Sequence, residues 1–326
     1  MSKHIYIYSP SGAVRDKAGF KRGVQRLQAL GHEVEVDEAA LASHQRFAGD
    51  DDTRLAAIAR AAASGADVAL ISRGGYGLTR ILGRINYKAV AKAVATGTQF
   101  VGMSDFTAFQ MALMAKAGHD VLTWAGPSLV EGFGTPMVMN ERGRTLSGPD
   151  EIMEAFFDDM LQGQGEGAGW QQNKATLSVA STSSKTKLQD TYHLKNATLW
   201  GGNLAVLCSL VGTPYLPEVK GGILFLEDIA EHPYRVERML TQLLHAGILG
   251  QQKAVVLGQF TGYQLSPHDK GFKLSSVVEW LQSQIKAPVL TNLPFGHVPT
   301  KVLLPVGAKV DLVSEGRDSL LVWGHV

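Results

Sequence analysis

Gly102-Met103-Ser104-Asp105-Phe106-Thr107 joins an apolar stretch, residues 98–103, to a helical one, residues 105–117. The pattern predicts a strand that turns tightly into a helix, with a serine at the turn. A hydroxyl in that place is aimed by the turn and lies in the field of a helix N-terminus. Both attack on a carbonyl and the anion that follows are favoured there. Serine before a helix is also an ordinary N-cap. These six residues leave both readings open.

The first 145 or so residues alternate short strands with helices. Strands are expected at 5–8, 33–36, 68–71 and 99–103, and helices at 15–30, 51–64 and 87–95, the first ended by Gly31. Such alternation implies an α/β fold with a parallel sheet covered by helices on both faces, whose active sites gather at the carboxyl ends of the strands. An N-terminal α/β nucleophile domain is therefore expected over 1–146. A linker or hairpin region is expected over 147–190. It includes a helix near 151–161, the glycines 163, 165, 167 and 169, and the polar run Ser181-Thr182-Ser183-Ser184-Lys185. Those glycines have no preceding strand and no following P-loop lysine, which argues against a phosphate loop. A C-terminal β/α domain is expected over 191–326, with strands at 223–226, 254–260, 288–290, 302–304, 308–312 and 319–323. Its helices are expected at 234–246 and 274–284.

Composition narrows the class. The chain has 326 residues, 45% apolar and 19% charged, with a net charge of +1. That size suits two domains, and that charge gives no reason to expect nucleic acid or an anionic membrane as partner. The N-terminus runs directly into a strand without an export signal, and no apolar run is long enough for a bilayer span. The one cysteine, Cys208, lies in an apolar helical stretch and reads as a buried structural thiol. A cytoplasmic protein is the expectation.

A nucleophilic serine needs a base, and the base needs an orienting carboxylate. His297 sits in the loop Leu293-Pro294-Phe295-Gly296-His297, beside a glycine that permits close backbone approach. Glu227 directly follows the strand 223–226, with Asp228 next, so either a site acid or a helix cap or ion pair is expected there. The run Ile71-Ser72-Arg73-Gly74-Gly75-Tyr76-Gly77 follows the third strand and lands at the same sheet edge as Ser104, where its glycines can turn amides inward. Other chemistries fare poorly: there is no P-loop, no His-Glu-x-x-His helix and no metal-spaced Cys/His pair. Phe106 also breaks the G-x-S-x-G elbow of the α/β-hydrolases.

An ordered series of blocks now supplies a resemblance. Ser9-Pro10-Ser11-Gly12, Arg73-Gly74-Gly75-Tyr76-Gly77, Gly102 to Thr107 and Gly126-Pro127 come first. Leu199-Trp200-Gly201-Gly202-Asn203-Leu204, Gly212-Thr213-Pro214-Tyr215, Phe225-Leu226-Glu227-Asp228-Ile229 and Phe295-Gly296-His297 follow. Together they resemble, nearly end to end, the LD-carboxypeptidases (muramoyltetrapeptide carboxypeptidases) of bacterial cell-wall recycling, near the proteobacterial cytosolic enzymes. The resemblance implies Ser104 as nucleophile, Glu227 as triad acid and His297 as base. It implies the amides of Gly75 and Asp105 as the oxyanion hole. It also implies an N-terminal domain like class I glutamine amidotransferases, a C-terminal swivelling β/α domain, and a homodimer.

The implied activity is removal of the terminal D-alanine from murein tetrapeptide by cleavage after meso-diaminopimelate, with no metal or organic cofactor. Arg73, Arg84, Arg235 and Lys301 are candidates to hold the substrate's carboxylate, and Asn203 and Trp200 are candidate substrate contacts. The related microcin-immunity peptidases, which cleave aminoacyl-nucleotide-like amides, share the triad; Trp200 could in principle stack on a base, and it equally fits the carboxypeptidase block Leu199 to Asn203. A non-catalytic muropeptide-binding protein is a third reading. The segment 171–196 looks longer than in relatives and is expected to form a surface hairpin.

Overall fold

The computed structural model describes residues 2–118, 121–139, 145–173 and 191–324. The chain forms two compact units, one of residues 1–165 and 299–306, the other of 166–298 and 307–326. It is a mixed α/β protein with a large sheet in each unit.

The first unit is built on a six-stranded sheet in the order Leu304–Val306, Thr123–Ala125, Gln99–Gly102, Val68–Ile71, His4–Tyr8, Glu33–Val36. All neighbours run parallel except Leu304–Val306, which lies antiparallel to Thr123–Ala125. The chain leaves the strand His4–Tyr8 towards one edge, and the later strands build towards the other. The order therefore reverses beside that strand, and the loops beyond the carboxyl ends of His4–Tyr8, Val68–Ile71 and Gln99–Gly102 meet at the position where open α/β sheets bind ligands. Local chemistry starts the helices: Asp16, Asp50 and Asp150 each accept a hydrogen bond from an amide of the first turn of Lys17–Ala29, Asp51–Ala63 and Glu151–Gln162.

Two expectations are corrected here. Residues 147–190 are not a linker throughout. Met153, Phe157, Met160 and Leu161 of the helix Glu151–Gln162 are buried in the first unit's core with Ile5, Val68 and Leu129. Further on, Gly167–Gln171 is a strand of the second unit, pairing antiparallel with Asp318–Val322. The helix is amphipathic and needs a core to cover its apolar stripe. Likewise, the strand expected at 302–304 does not belong to the second unit. Leu303 is buried in the first unit's core, and Leu304–Val306 forms that unit's sheet edge.

The second unit carries a seven-stranded sheet in the order Val289–Leu290, Ala254–Thr261, Ile223–Ile229, Tyr192–Asn203, Lys309–Glu315, Asp318–Val322, Gly167–Gln171. The first four are mutually parallel and the rest antiparallel. The long strand Tyr192–Asn203 is the hinge between these two halves of the sheet and runs straight into the helix Leu204–Ser209. Cys208, in that helix, is buried, and burial pushes its thiol up to about 12, as befits a structural side chain. The polar run 181–187 and most of the 171–196 segment lie outside the described residues.

Candidate active site

The turn at Ser104 is strained. Its φ is +63°, a left-handed conformation that costs a non-glycine residue about 1–2 kcal/mol. Turn hydrogen bonds from Phe106 N to Met103 O (3.2 Å) and from Thr107 N to Ser104 O (3.0 Å) hold it. The helix Phe106–Ala117 anchors it from behind: every residue from Phe106 to Met114 is buried, and the Phe106 and Phe109 rings stack with centroids 4.8 Å apart. Such strain persists only where surrounding structure enforces it, and functional sites are where it collects.

Glycines bring the neighbouring loops onto this turn. A Cβ on Gly74 would stand 2.9 Å from Ser104 Cβ and 3.1 Å from its Oγ, so only glycine fits against the hydroxyl. Gly75 has φ +121°, which turns its backbone in a way L side chains rarely allow. The loop after the first strand joins the same cluster, with Gly12 N donating to Gly74 O at 3.2 Å. The Asp105 side chain is buried. Its Oδ2 accepts from Ser11 Oγ at 2.5 Å and from Leu78 N at 3.0 Å. Burial pushes this carboxyl above its usual range, while the hydrogen bonds from Ser11 and Leu78 and the charge of Arg54 pull it back.

Of the four cations considered for a carboxylate, two lie beside this turn. Arg73 Nη1 donates to Ala13 O at 3.2 Å and lies against the Gly12 and Gly75 backbone. Lys301 is buried with its ammonium 3.7 Å from Met103 Sδ. Arg84 instead pairs with Asp52 on the surface, and Arg235, in the second unit, pairs with Glu231 and lies beside the Tyr234 ring.

In the second unit the expected acid and base are in direct contact. His297 Nδ1 lies 2.8 Å from Glu227 Oε2, and Glu227 is completely buried. The strand Ile223–Ile229 shifts register against Ala254–Thr261 between Leu226 and Asp228. A bulge of this kind re-aims the side chain it contains, here Glu227. Gly296, at φ +140°, lets the histidine loop pass: a Cβ there would lie 2.9 Å from Gln259 O and 3.3 Å from Glu227 Cβ. With Nδ1–H donated to a carboxylate, Nε2 becomes the basic ring nitrogen.

Asn203, whose role the sequence left between turn former and substrate contact, lies beside Glu227 in the sheet and is buried. Its Nδ2 donates to Glu227 Oε1 (3.2 Å) and Asp228 Oδ1 (3.0 Å), and its Oδ1 accepts from Val206 N (3.1 Å). Asp228 does cap a helix, but the one at Leu204–Ser209, accepting from Ala205 N at 2.9 Å. Burial pushes the Asp228 carboxyl up to about 6; the hydrogen bonds from Asn203 and Ala205 N oppose this, and neighbouring Glu227 adds to it. Trp200 is 1% exposed, with Nε1 donating to Gln252 Oε1 at 2.9 Å. It is therefore a core residue, not a platform for a base, because a buried indole satisfied on its one donor presents no face to a ligand. Ser11 and Arg54 were missed as supports of the turn. Ser11 belongs to the Ser-Pro-Ser-Gly block, and no local pattern links it to Asp105.

Residues 5–124 match the family model of the LD-carboxypeptidase N-terminal domain, and residues 196–312 match that of the C-terminal domain. The chain belongs to the LD-carboxypeptidase family. It is a serine-type carboxypeptidase, a hydrolase. A muramoyltetrapeptide carboxypeptidase from Oxalobacter formigenes, known from its crystal structure, is 35% identical and covers 98% of each chain with a TM-score of 0.79. A probable murein peptide carboxypeptidase of Bacillus subtilis is 27% identical over 91% of this chain and 85% of its own length. The microcin C7 self-immunity protein of Escherichia coli has the same fold, with a TM-score of 0.79 at 20% identity over 100% of this chain and 97% of its own. Among the described residues of this LD-carboxypeptidase, no helix is long and apolar enough to cross a membrane.

Proposed function

We propose that this carboxypeptidase removes the terminal D-alanine from murein tetrapeptide, cleaving the bond to meso-diaminopimelate, and that it does so in the cytoplasm during peptidoglycan recycling. Ser104 Oγ attacks the carbonyl carbon while His297 Nε2 takes its proton. The amides of Gly75 and Asp105 hold the oxyanion, a contribution of about 3 kcal/mol per donor. The C–N bond then breaks as His297 returns the proton to the departing D-alanine amine, leaving an acyl-enzyme on Ser104. Water, deprotonated by His297, releases the tripeptide and restores the serine. Glu227 orients the imidazole and stabilises its charged form. The reading carries with it the family's glutamine-amidotransferase-like nucleophile domain, swivelling β/α domain and homodimer.

The observation that carries this reading is the contact of the buried Glu227 with His297 at 2.8 Å, an orienting acid on an imidazole within a serine-hydrolase family. The likeness to a muramoyltetrapeptide carboxypeptidase over 98% of the chain supports the substrate. The burial of Trp200 leaves that side chain no face on which a base could stack. The decisive experiment is Ser104→Ala. D-alanine release from murein tetrapeptide should vanish while circular dichroism stays unchanged, and retained turnover would remove Ser104 as nucleophile.

A further inference from the structure

We propose that the carboxylate of Asp105 is a positioning residue that fixes the spacing between the two oxyanion amides. The inference rests on the function proposed above and adds to it. That mechanism uses only the Asp105 main chain, whereas the present claim concerns its side chain.

An aspartate at a helix N-terminus ordinarily accepts a hydrogen bond from the first turn of its own helix. Asp105 makes no such bond. Its Oδ2 instead binds two other loops, Ser11 Oγ after the first strand at 2.5 Å and Leu78 N beyond the third strand at 3.0 Å. One buried oxygen thus ties together all three loops that meet at the reversal of the sheet. The tie runs in parallel with Gly12 N to Gly74 O (3.2 Å) and with the seating of Gly74 on Ser104. Arg54, completely buried, donates Nη1 to Gly77 O at 2.8 Å and supplies a compensating charge.

The consequence is geometric. Gly75 lies inside the loop clamped at its far end by Leu78, and the Asp105 amide belongs to the clamping residue itself. If the clamp is lost, the two donors separate. Donors must stand about 2.7–3.1 Å from the oxyanion, and a displacement near 1 Å can cost about 100-fold in rate. Substrate binding in the ground state makes no such demand, so kcat should fall and KM should hold.

The test uses the full-length protein and three variants. Asp105→Ala should lower kcat for D-alanine release about 100-fold and Ser11→Ala about 10-fold, each with KM within about threefold of the parent, because the loss falls on the transition state. Asp105→Asn keeps an oxygen at the clamp and should recover part of the loss. Labelling of Ser104 by a fluorophosphonate, which needs no murein substrate, should slow in the same order. If the variants melt at lower temperature but keep the parent's kcat and labelling rate per folded molecule, or if KM rises in step with the loss, the clamp is merely structural and the proposal is overturned. Should Asp105→Ala fail to fold, Ser11→Ala decides by the same criteria. A Ser104→Ala control that still turns over overturns the functional reading and this inference with it, whereas an inactive control beside unimpaired clamp variants overturns this inference alone.

Discussion

The turn at Ser104 and the pair Glu227–His297 are held by different means. Around Ser104 most of the work is done by backbone: a left-handed serine, glycines at 12, 74 and 75, and a helix buried from Phe106 to Met114, with the Asp105 carboxylate tying the loops. Around His297 it is done by side chains: a carboxylate with no exposure, an asparagine shared between two acids, and a strand bulge that aims the first of them. The first arrangement tolerates no added atoms, and the second tolerates no lost charge or hydrogen bond. Substitutions should therefore fail by collision in one unit and by changed electrostatics in the other.

The largest effect is expected at the electrostatic end. Glu227→Gln preserves volume but removes the charge and favours the wrong tautomer of His297. Steady-state release of D-alanine should fall about 10³–10⁴-fold in kcat, with the melting temperature little changed. A loss below tenfold would break the contrast, because the pair would then be packing and not chemistry.

Gly74→Ala is the steric counterpart. Its Cβ would press on Ser104 Cβ at 2.9 Å, and neither backbone has room to yield cheaply. We expect about a 100-fold loss of kcat from a displaced nucleophile, read in the same assay, with near-parental activity showing that the loops can separate.

Asp228 sharpens the comparison through pH. Its folded carboxyl is pushed up to about 6, above the ordinary value of 3.8. A raised acid contributes stability below its unfolded pKa, and that contribution disappears as pH rises through the folded one. Relative to Asp228→Asn, the parent should lose on the order of 2 kcal/mol between about pH 4 and pH 6.5 in guanidinium unfolding. A flat difference across that range would mean that the buried network relaxes on ionisation.

The smallest effect concerns strain. Ser104→Gly and Ser104→Ala should both be inactive, but the glycine variant should be more stable by about 1 kcal/mol, since only alanine keeps the left-handed penalty. Equal stabilities would place the strain elsewhere.

Much of this was legible before any coordinates. The change from strand to helix at 102–107 was written in local pattern, because it is a property of neighbouring residues; the strand at 223 was too, though it runs on through Glu227 to Ile229 and does not end before the acid. The glycine before His297 likewise announced a close approach. What could not be read locally was membership. Three residues at 304–306 carry too little pattern to say which sheet they join, and the amphipathic helix Glu151–Gln162 does not declare whose core it covers. Nor did Trp200 disclose its burial, since an indole in a Trp-Gly-Gly run suits a surface as well as a core. Links such as Ser11 to Asp105, 94 positions apart, exist only once the sheet has brought its loops together.

The antiparallel edge strand has a consequence for how the molecule is made. Because Leu303 and Leu304–Val306 complete a sheet whose other strands end by residue 125, the serine-bearing unit stays unfinished until residue 306 has been translated. A nascent chain stalled anywhere before residue 300 would present Trp124 and its neighbours along an uncapped rim. The serine-bearing unit thus waits on a strand far downstream before it can mature.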